Sequence, residues 1–167
     1  MPDKTYARRS ARVLLVDARG RLLLLQSYHD GRRPRLGTFW MVPGGGVEDS
    51  EPVVAAAARE LHEETGLLVA PALLGVPVAT TGGYADLGWA KGMFRDDFYL
   101  HRVVDHQMST DGWLAHERRH MVGHRWWTVD ELARTTETVY PLELAALLTD
   151  LLAGRIPERP RPLPWHH

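Results

Sequence analysis

Three consecutive glycines, Gly44 to Gly46, follow Pro43 and precede the clearest helical segment of the chain, Ser50 to Thr65. Proline withholds a backbone N–H and glycine loses the most conformational entropy on ordering, so this junction is poor ground for continuing a strand. A short strand over Thr38 to Val42 is expected to stop there, and a glycine loop to open into the helix. Ser50 or Asp49 can cap that helix, Pro52 suits its first turn, and Gly66 suits the position just past its end. Val54, Ala58 and Leu61 recur at helical spacing and form its buried stripe.

The same helix carries Glu60, Glu63 and Glu64, which fall within a roughly 100° arc of one face. Like charges so close repel each other, by a few tenths of a kcal/mol per exposed pair and by more when partly buried. A solvated acidic face accounts for such a cluster taken alone. A hard divalent cation among the carboxylates accounts for it as well, since Mg²⁺ and Mn²⁺ take oxygen ligands. The glycines favour the second account, because they permit close backbone approach and offer carbonyls to a cation or N–H groups to phosphate. Arg59 can pair with Glu63 or reach Glu48 and Glu51 in the loop.

The remaining chain reads as strands mixed with two unequal helices, which indicates α+β or a three-layer sandwich. Ala11 to Val16 and Arg21 to Gln26 form a hairpin signature around Asp17 to Gly20. His29 to Gly37 is a loop containing Arg32, Arg33 and Arg35. Leu67 to Val78 and Met93 to Val104 are expected strands, joined by a loop with four glycines, Tyr84 and Trp89. Arg125 to Val129 is a short strand, Asp130 to Arg134 one helical turn, and Leu142 to Leu152 an amphipathic helix. Residues 1–8 are expected to fray, 9–154 to form one domain, and 155–167 to be a Pro- and Arg-rich tail beyond it.

Composition narrows the class. The 167 residues carry a formal net charge of −1, which disfavours a protein that coats nucleic acid or an anionic membrane. With no cysteine, disulfide frameworks, thiolate zinc sites and cysteine nucleophiles are excluded. The apolar runs Val13 to Val16 and Leu22 to Leu25 are far below the ~20 residues a bilayer-spanning helix needs, and a soluble cytoplasmic chain is expected.

The stretch Gly45-x5-Glu51-x7-Arg59-Glu60-Leu61-x-Glu63-Glu64-x-Gly66-Leu67 resembles the Nudix box at every specified position, and by its box the chain is similar to Nudix hydrolases of the MutT type. Trp40 and Pro43 before the glycines, and Trp126-Trp127 before Glu131-Leu132, extend the resemblance over residues 9–154. It implies an α/β/α sandwich with a mixed sheet, and cleavage of a nucleoside diphosphate linked to another moiety. It further implies that Glu60, Glu63, Glu64 and the Gly44 carbonyl hold Mg²⁺ (Mn²⁺ in its place), and that an Arg59–Glu51 salt bridge fixes the loop. The general base is a box glutamate or a carboxylate of a later loop, here Glu117 or the pair Asp96/Asp97.

The expected partner is a small nucleotide, such as a nucleoside triphosphate, dinucleoside polyphosphate or nucleotide sugar, bound by a monomer or homodimer. No basic tract is large enough to track a nucleic-acid strand. The short N-terminus is expected to disfavour ADP-ribose. Trp40, Tyr84 and Trp89 are candidates to stack a base, Arg35 to contact phosphate, against the alternatives of core aromatics and a solvated basic loop. Tyr84 falls 17 residues past Leu67, a spacing similar to that in dinucleoside-polyphosphate hydrolases of the family. A catalytically silent nucleotide sensor on the same fold is the alternative function, although such modules usually lose box glutamates.

His116-Glu117-Arg118-Arg119-His120 also matches HExxH, the zinc-protease helix. The longer form of that motif needs a third histidine where Trp126 stands, and two arginines inside the motif repel a cation. The segment is expected to be a solvated loop or the rim of the carboxylate cleft.

Overall fold

The computed structural model describes residues 6–166. The expected frayed segment therefore lies largely outside the described residues, and Arg8 already belongs to the first strand. Strands β1 (Arg8–Val16) and β2 (Leu22–Tyr28) leave a tight turn in which Asp17 accepts the N–H groups of Arg19 and Arg21 at 3.0 and 2.9 Å. They touch only at Val16 and Leu22 and then diverge. β1 goes on to pair antiparallel with β4 (Gly44–Gly46) and parallel with β6 (Lys91–Arg102). β2 goes on to pair antiparallel with β3 (Thr38–Met41) and β7 (Met121–Trp127). The sheet is thus mixed, curled and forked. One arm ends in β5 (Ala79–Asp86) and β9 (Arg161–Pro162), the other in β8 (Val139–Tyr140).

Successive side chains of a strand point to opposite faces, and β1 uses both. Ala11, Val13 and Leu15 pack with Ala56, Ala57 and Leu61 of α1 (Val53–Thr65). Leu14 and Val16 pack with Trp127, Phe98 and the leucines Leu147, Leu148 and Leu151 of α4 (Leu144–Leu152). The short helices α2 (Ala115–His120) and α3 (Val129–Arg134) flank β7, and α3 is closed by a capping box between Thr128 and Glu131. The result is the expected mixed sheet between helices, and among the described residues no helix is long and apolar enough to cross a membrane.

Several local expectations change. The three glycines form β4 itself rather than a free loop, because β2 leaves β1 and the bare edge of β1 recruits them. α1 begins at Val53 with Pro52 as its cap residue and no side-chain cap. Ser50 instead adopts φ +61 inside a turn in which Glu51 bonds back to Glu48, so neither Ser50 nor Asp49 caps the helix. Gly66 does end it, at φ +79 with its N–H on the His62 carbonyl.

The expected strand Leu67 to Val78 is irregular, with a 3₁₀ turn at Pro71–Leu74. Pro71 and Pro77 lack ladder donors, and Leu68 and Leu73 are exposed. Tyr84 and two of the glycines lie inside β5, and only Leu87 to Ala90, with Trp89, form the turn to β6. Trp126 and Trp127, adjacent on β7, each meet a core, Trp127 on the α4 side and Trp126 on the α1 side. Nor does the fold stop at residue 154. β9 pairs with β5 and Leu163 is buried in the core, because Asp150 of α4 holds Arg161 at 2.7 Å and brings the segment back to the sheet.

Candidate active site

The forked sheet places β4 against β1 and beside α1, so the glycine backbone faces the carboxylates of the helix. The Gly44 N–H donates to Glu64 Oε2 at 3.2 Å. A Cβ on Gly45 would come within 2.6 Å of the Glu60 carboxyl group, which explains why this position has no side chain. Gly44, Gly45 and Gly46 line one cleft together with Glu60, Glu63, Glu64, Arg8 and Glu117.

Arg59 organises the loop. Its Nε and Nη2 donate to Glu51 at 2.8 and 3.0 Å, and Nη2 also donates to the Gly46 carbonyl at 3.0 Å. Its Nη1 reaches Glu60 at 2.9 Å and Glu63 at 3.4 Å. Of the partners open to Arg59 in the sequence, Glu51 and Glu63 are both engaged, and Glu48 stands at 3.9 Å. The guanidinium holds the Glu51 carboxyl below the usual glutamate range and is itself stabilised as a cation.

At three other carboxylates of the cleft burial outweighs the nearby cations. Burial pushes Glu64 well above the usual glutamate range, and the neighbouring Glu60 adds to the effect. Burial also raises Glu60 and Glu117, the latter with help from Glu60. Glu117 Oε2 is buried without a hydrogen-bond partner among the described residues. An all-oxygen donor set with excess negative charge fits a hard divalent cation. Among the described residues no three such groups are already drawn around a common point, since Glu60 and Glu63 lean on Arg59. A cation entering here would take over the part of Arg59 that faces them.

Glu117 is brought to the cleft by α2, which the 105–114 segment packs against the end of α1. Trp113 Nε1–H donates to the Glu64 carbonyl at 2.8 Å, and Gly112 lies so close to Glu63 that a Cβ would come within 2.7 Å of its backbone oxygen. His116 lines the cleft with Glu117. Of the other base candidates, Asp97 is occupied by Arg9 at 3.0 Å and Arg95 at 3.1 Å, while Asp96 faces Arg12 at 3.6 Å.

The substrate candidates separate. Trp40 is in the core, edge-on to Trp127 at 5.2 Å, with its N–H on Glu137 at 3.2 Å; the register of β3 turns it inward, so it cannot stack a base in the cleft. Arg35 is exposed on a 3₁₀ turn and is not among the residues lining the cleft. Tyr84 is exposed on β5. Trp89 is exposed and covers Arg8, whose guanidinium carbon lies 5.2 Å from the ring centre. Arg8 is the cleft residue that sequence reasoning misses. Burial and the nearby Arg12 destabilise its charge, as expected of a cation awaiting an anion. The period-2 spacing of Arg8 and Arg12 in a strand is the signal that could have found it.

A forked mixed sheet carrying a glycine strand, an Arg-clamped loop and a carboxylate helix frames this cleft. Residues 7–148 match the NUDIX domain, and the chain belongs to that family. It is similar to the RNA pyrophosphohydrolase of Dinoroseobacter shibae, with 44% identity over 71 residues, covering 41% of this chain and 41% of that protein. It is also similar to an octanoyltransferase of Myxococcus xanthus, 45% identical over 64 residues, covering 36% of this chain and 16% of that one. The chain spans less than half the length of these curated relatives. Its fold matches the E. coli dihydroneopterin triphosphate pyrophosphohydrolase with a TM-score of 0.63 at 18% identity, covering 90% of this chain and 99% of that chain.

Proposed function

We propose that this protein is a metal-dependent pyrophosphohydrolase that cleaves the pyrophosphate linkage of a small nucleotide, a nucleoside diphosphate bearing a further group. The observation that carries the reading is the cleft itself: Glu60, Glu63, Glu64 and Glu117 around the glycine strand, with Arg59 the cation that clamps its loop. Glu60, Glu63, Glu64 and the Gly44 carbonyl are the groups that would hold Mg²⁺, or Mn²⁺ in its place. Such ions neutralise a pyrophosphate and acidify bound water.

The chain's own residues supply the rest. Arg8, half-shielded from water and carrying a destabilised charge, takes a phosphate oxygen. Arg59 keeps the loop fixed through Glu51 and the Gly46 carbonyl. Glu117 Oε2, without a partner among the described residues and with a raised proton affinity, accepts the proton of the water whose oxygen bonds to phosphorus as the bridging P–O bond to the leaving phosphate breaks. Relatives named RNA pyrophosphohydrolase make a 5′-triphosphate RNA one member of the test panel, although the sequence has no basic tract large enough to track a strand.

The test is a panel of nucleoside triphosphates, dinucleoside polyphosphates, nucleotide sugars and 5′-triphosphate RNA with Mg²⁺, with every product identified. Release of phosphate, pyrophosphate or a nucleoside monophosphate from at least one is the expected result. No release from any would sink the reading, and tight binding without turnover would replace it with a nucleotide sensor.

A further inference from the structure

Past β9 the chain turns back across the opening between the two arms of the sheet. β9 is fastened by Arg161 N–H on Val78 at 2.9 Å and Leu163 N–H on Thr80 at 2.8 Å. Trp165 then donates its indole N–H to the Tyr84 carbonyl at 3.0 Å. Its ring lies on the bare backbone of Gly83, where a Cβ would come within 2.3 Å of it, and faces Phe94 at 6.2 Å. His166 stacks on Tyr140 of β8 at 4.2 Å with the planes 24° apart. One strap therefore joins both arms through aromatic rings.

What lies next to these rings is polar. Gly83 pairs with Phe94 and Thr81 with Asp96, so all four share one face of the β5–β6 pair. Thr81 is 1% exposed and its hydroxyl has no hydrogen-bond partner among the described residues, an arrangement that is unfavourable until something completes it. In the parallel register Arg8 stands beside Phe94, and Trp89 meets both, over Arg8 and edge-on to Phe94 at 6.4 Å. Arg8 in turn lines the carboxylate cleft. A line of contacts thus runs from the phosphate end of the site to the strap.

Resting on the reading of the carboxylate cleft as the phosphate end, we propose that Trp165 is a specificity-determining residue. Its indole forms the wall against which the planar ring of a nucleoside substrate stacks, with the Thr81 hydroxyl as a polar contact for that ring. The strap then makes the protein prefer base-bearing polyphosphates over base-free ones, a preference the carboxylate helix cannot supply.

Calorimetric titration at one fixed Mg²⁺ concentration tests this with methylene-bridged deoxynucleoside triphosphates and with inorganic tripolyphosphate. The wild type is expected to bind at least one nucleotide about tenfold or more tighter than tripolyphosphate, the scale of one stacking contact. Trp165→Ala should erase most of that increment and leave tripolyphosphate binding unchanged, and Trp165→Phe should restore part of it. The inference is overturned if the wild type shows no increment, if Trp165→Ala keeps it, if both probes weaken equally, or if nucleotide binding tightens because the strap was a plug. Should Trp165→Ala fail to fold, Thr81→Val decides: it exchanges the hydroxyl for a methyl group of similar size and must lower the same increment. Because binding is read apart from turnover, a wild type that shows the increment but cleaves nothing defeats the hydrolase reading and leaves this one standing.

Discussion

Arg59 and Glu51 meet through two roughly parallel bonds of 2.8 and 3.0 Å, and the same guanidinium holds the Gly46 carbonyl at 3.0 Å. One side chain thereby ties helix, loop and glycine strand into a single unit. Lysine keeps the charge but has no planar fork, so Arg59→Lys must give up one of these contacts. We expect a loss of about 1–2 kcal/mol in stability, as for charge-assisted hydrogen bonds. A fall in kcat of about tenfold or more is also expected, the effect of loosening groups that orient ligands. Thermal melts and kcat measured together check it, and a variant with wild-type kcat would show that the clamp does not position the site.

Glu64 is a buried carboxylate whose bond from Gly44 does not offset its burial. Its folded pKa is raised, so between the ordinary glutamate range, about 4.3, and that raised value the native state binds more protons than the unfolded one. Metal-free stability must then fall as pH rises through this window. Glu64→Gln keeps the acceptor for Gly44 and removes the charge. It should raise the metal-free melting temperature at pH 7 by a few degrees, on the order of 1 kcal/mol, and flatten the pH slope. Turnover should fall by orders of magnitude, as it should in Glu63→Gln. Near-wild-type kcat in both variants would defeat the assignment of these residues to a metal.

Legibility in the sequence follows the range of the interactions. α1 is readable because its stripe, its Gly66 stop and its acidic face are all local, and the Arg59–Glu51 clamp closes over a short stretch of loop and helix. Arg8 is not, because only parallel pairing with β6, a partner more than eighty residues away, sets it beside Phe94 and the cleft. Trp40 carries the composition of a stacking residue, yet the register of β3 on β2 turns it toward Trp127. The Pro-rich segment after residue 154 has no periodicity of its own, and its order comes from β5 and from Asp150.

Asp150 accepts bonds from Arg155 at 2.8 Å and Arg161 at 2.7 Å, and these two arginines, Arg155 first, hold its carboxyl below the usual aspartate range. A depressed folded pKa contributes stability above the unfolded value, about 3.9, and loses it as pH falls through the folded one. Asp150→Asn should therefore melt slightly below the wild type at pH 7, and the two should converge in acid below the aspartate range. High salt should also narrow the gap, because the pairs are partly exposed to solvent. Equal melting at pH 7 in low salt would show that the pairs do not fasten β9.

Glu117 reaches the cleft on a six-residue helix and buries an oxygen that no group among the described residues satisfies. As a structural side chain it would be better replaced by glutamine, whose amide carries no charge to desolvate, so Glu117→Gln should leave the melting temperature unchanged or higher. As the proton acceptor it is irreplaceable by an amide, and kcat should fall about 10²–10⁴-fold with KM little altered. The wild-type rate should rise with pH as the carboxyl ionises, at a pH above the ordinary glutamate range because burial and Glu60 raise it. That limb should be missing from the residual activity of the variant. If kcat survives in Glu117→Gln, the base lies elsewhere, and Asp96, which faces Arg12 at 3.6 Å on the same face of β6 as Phe94, is the next residue to replace.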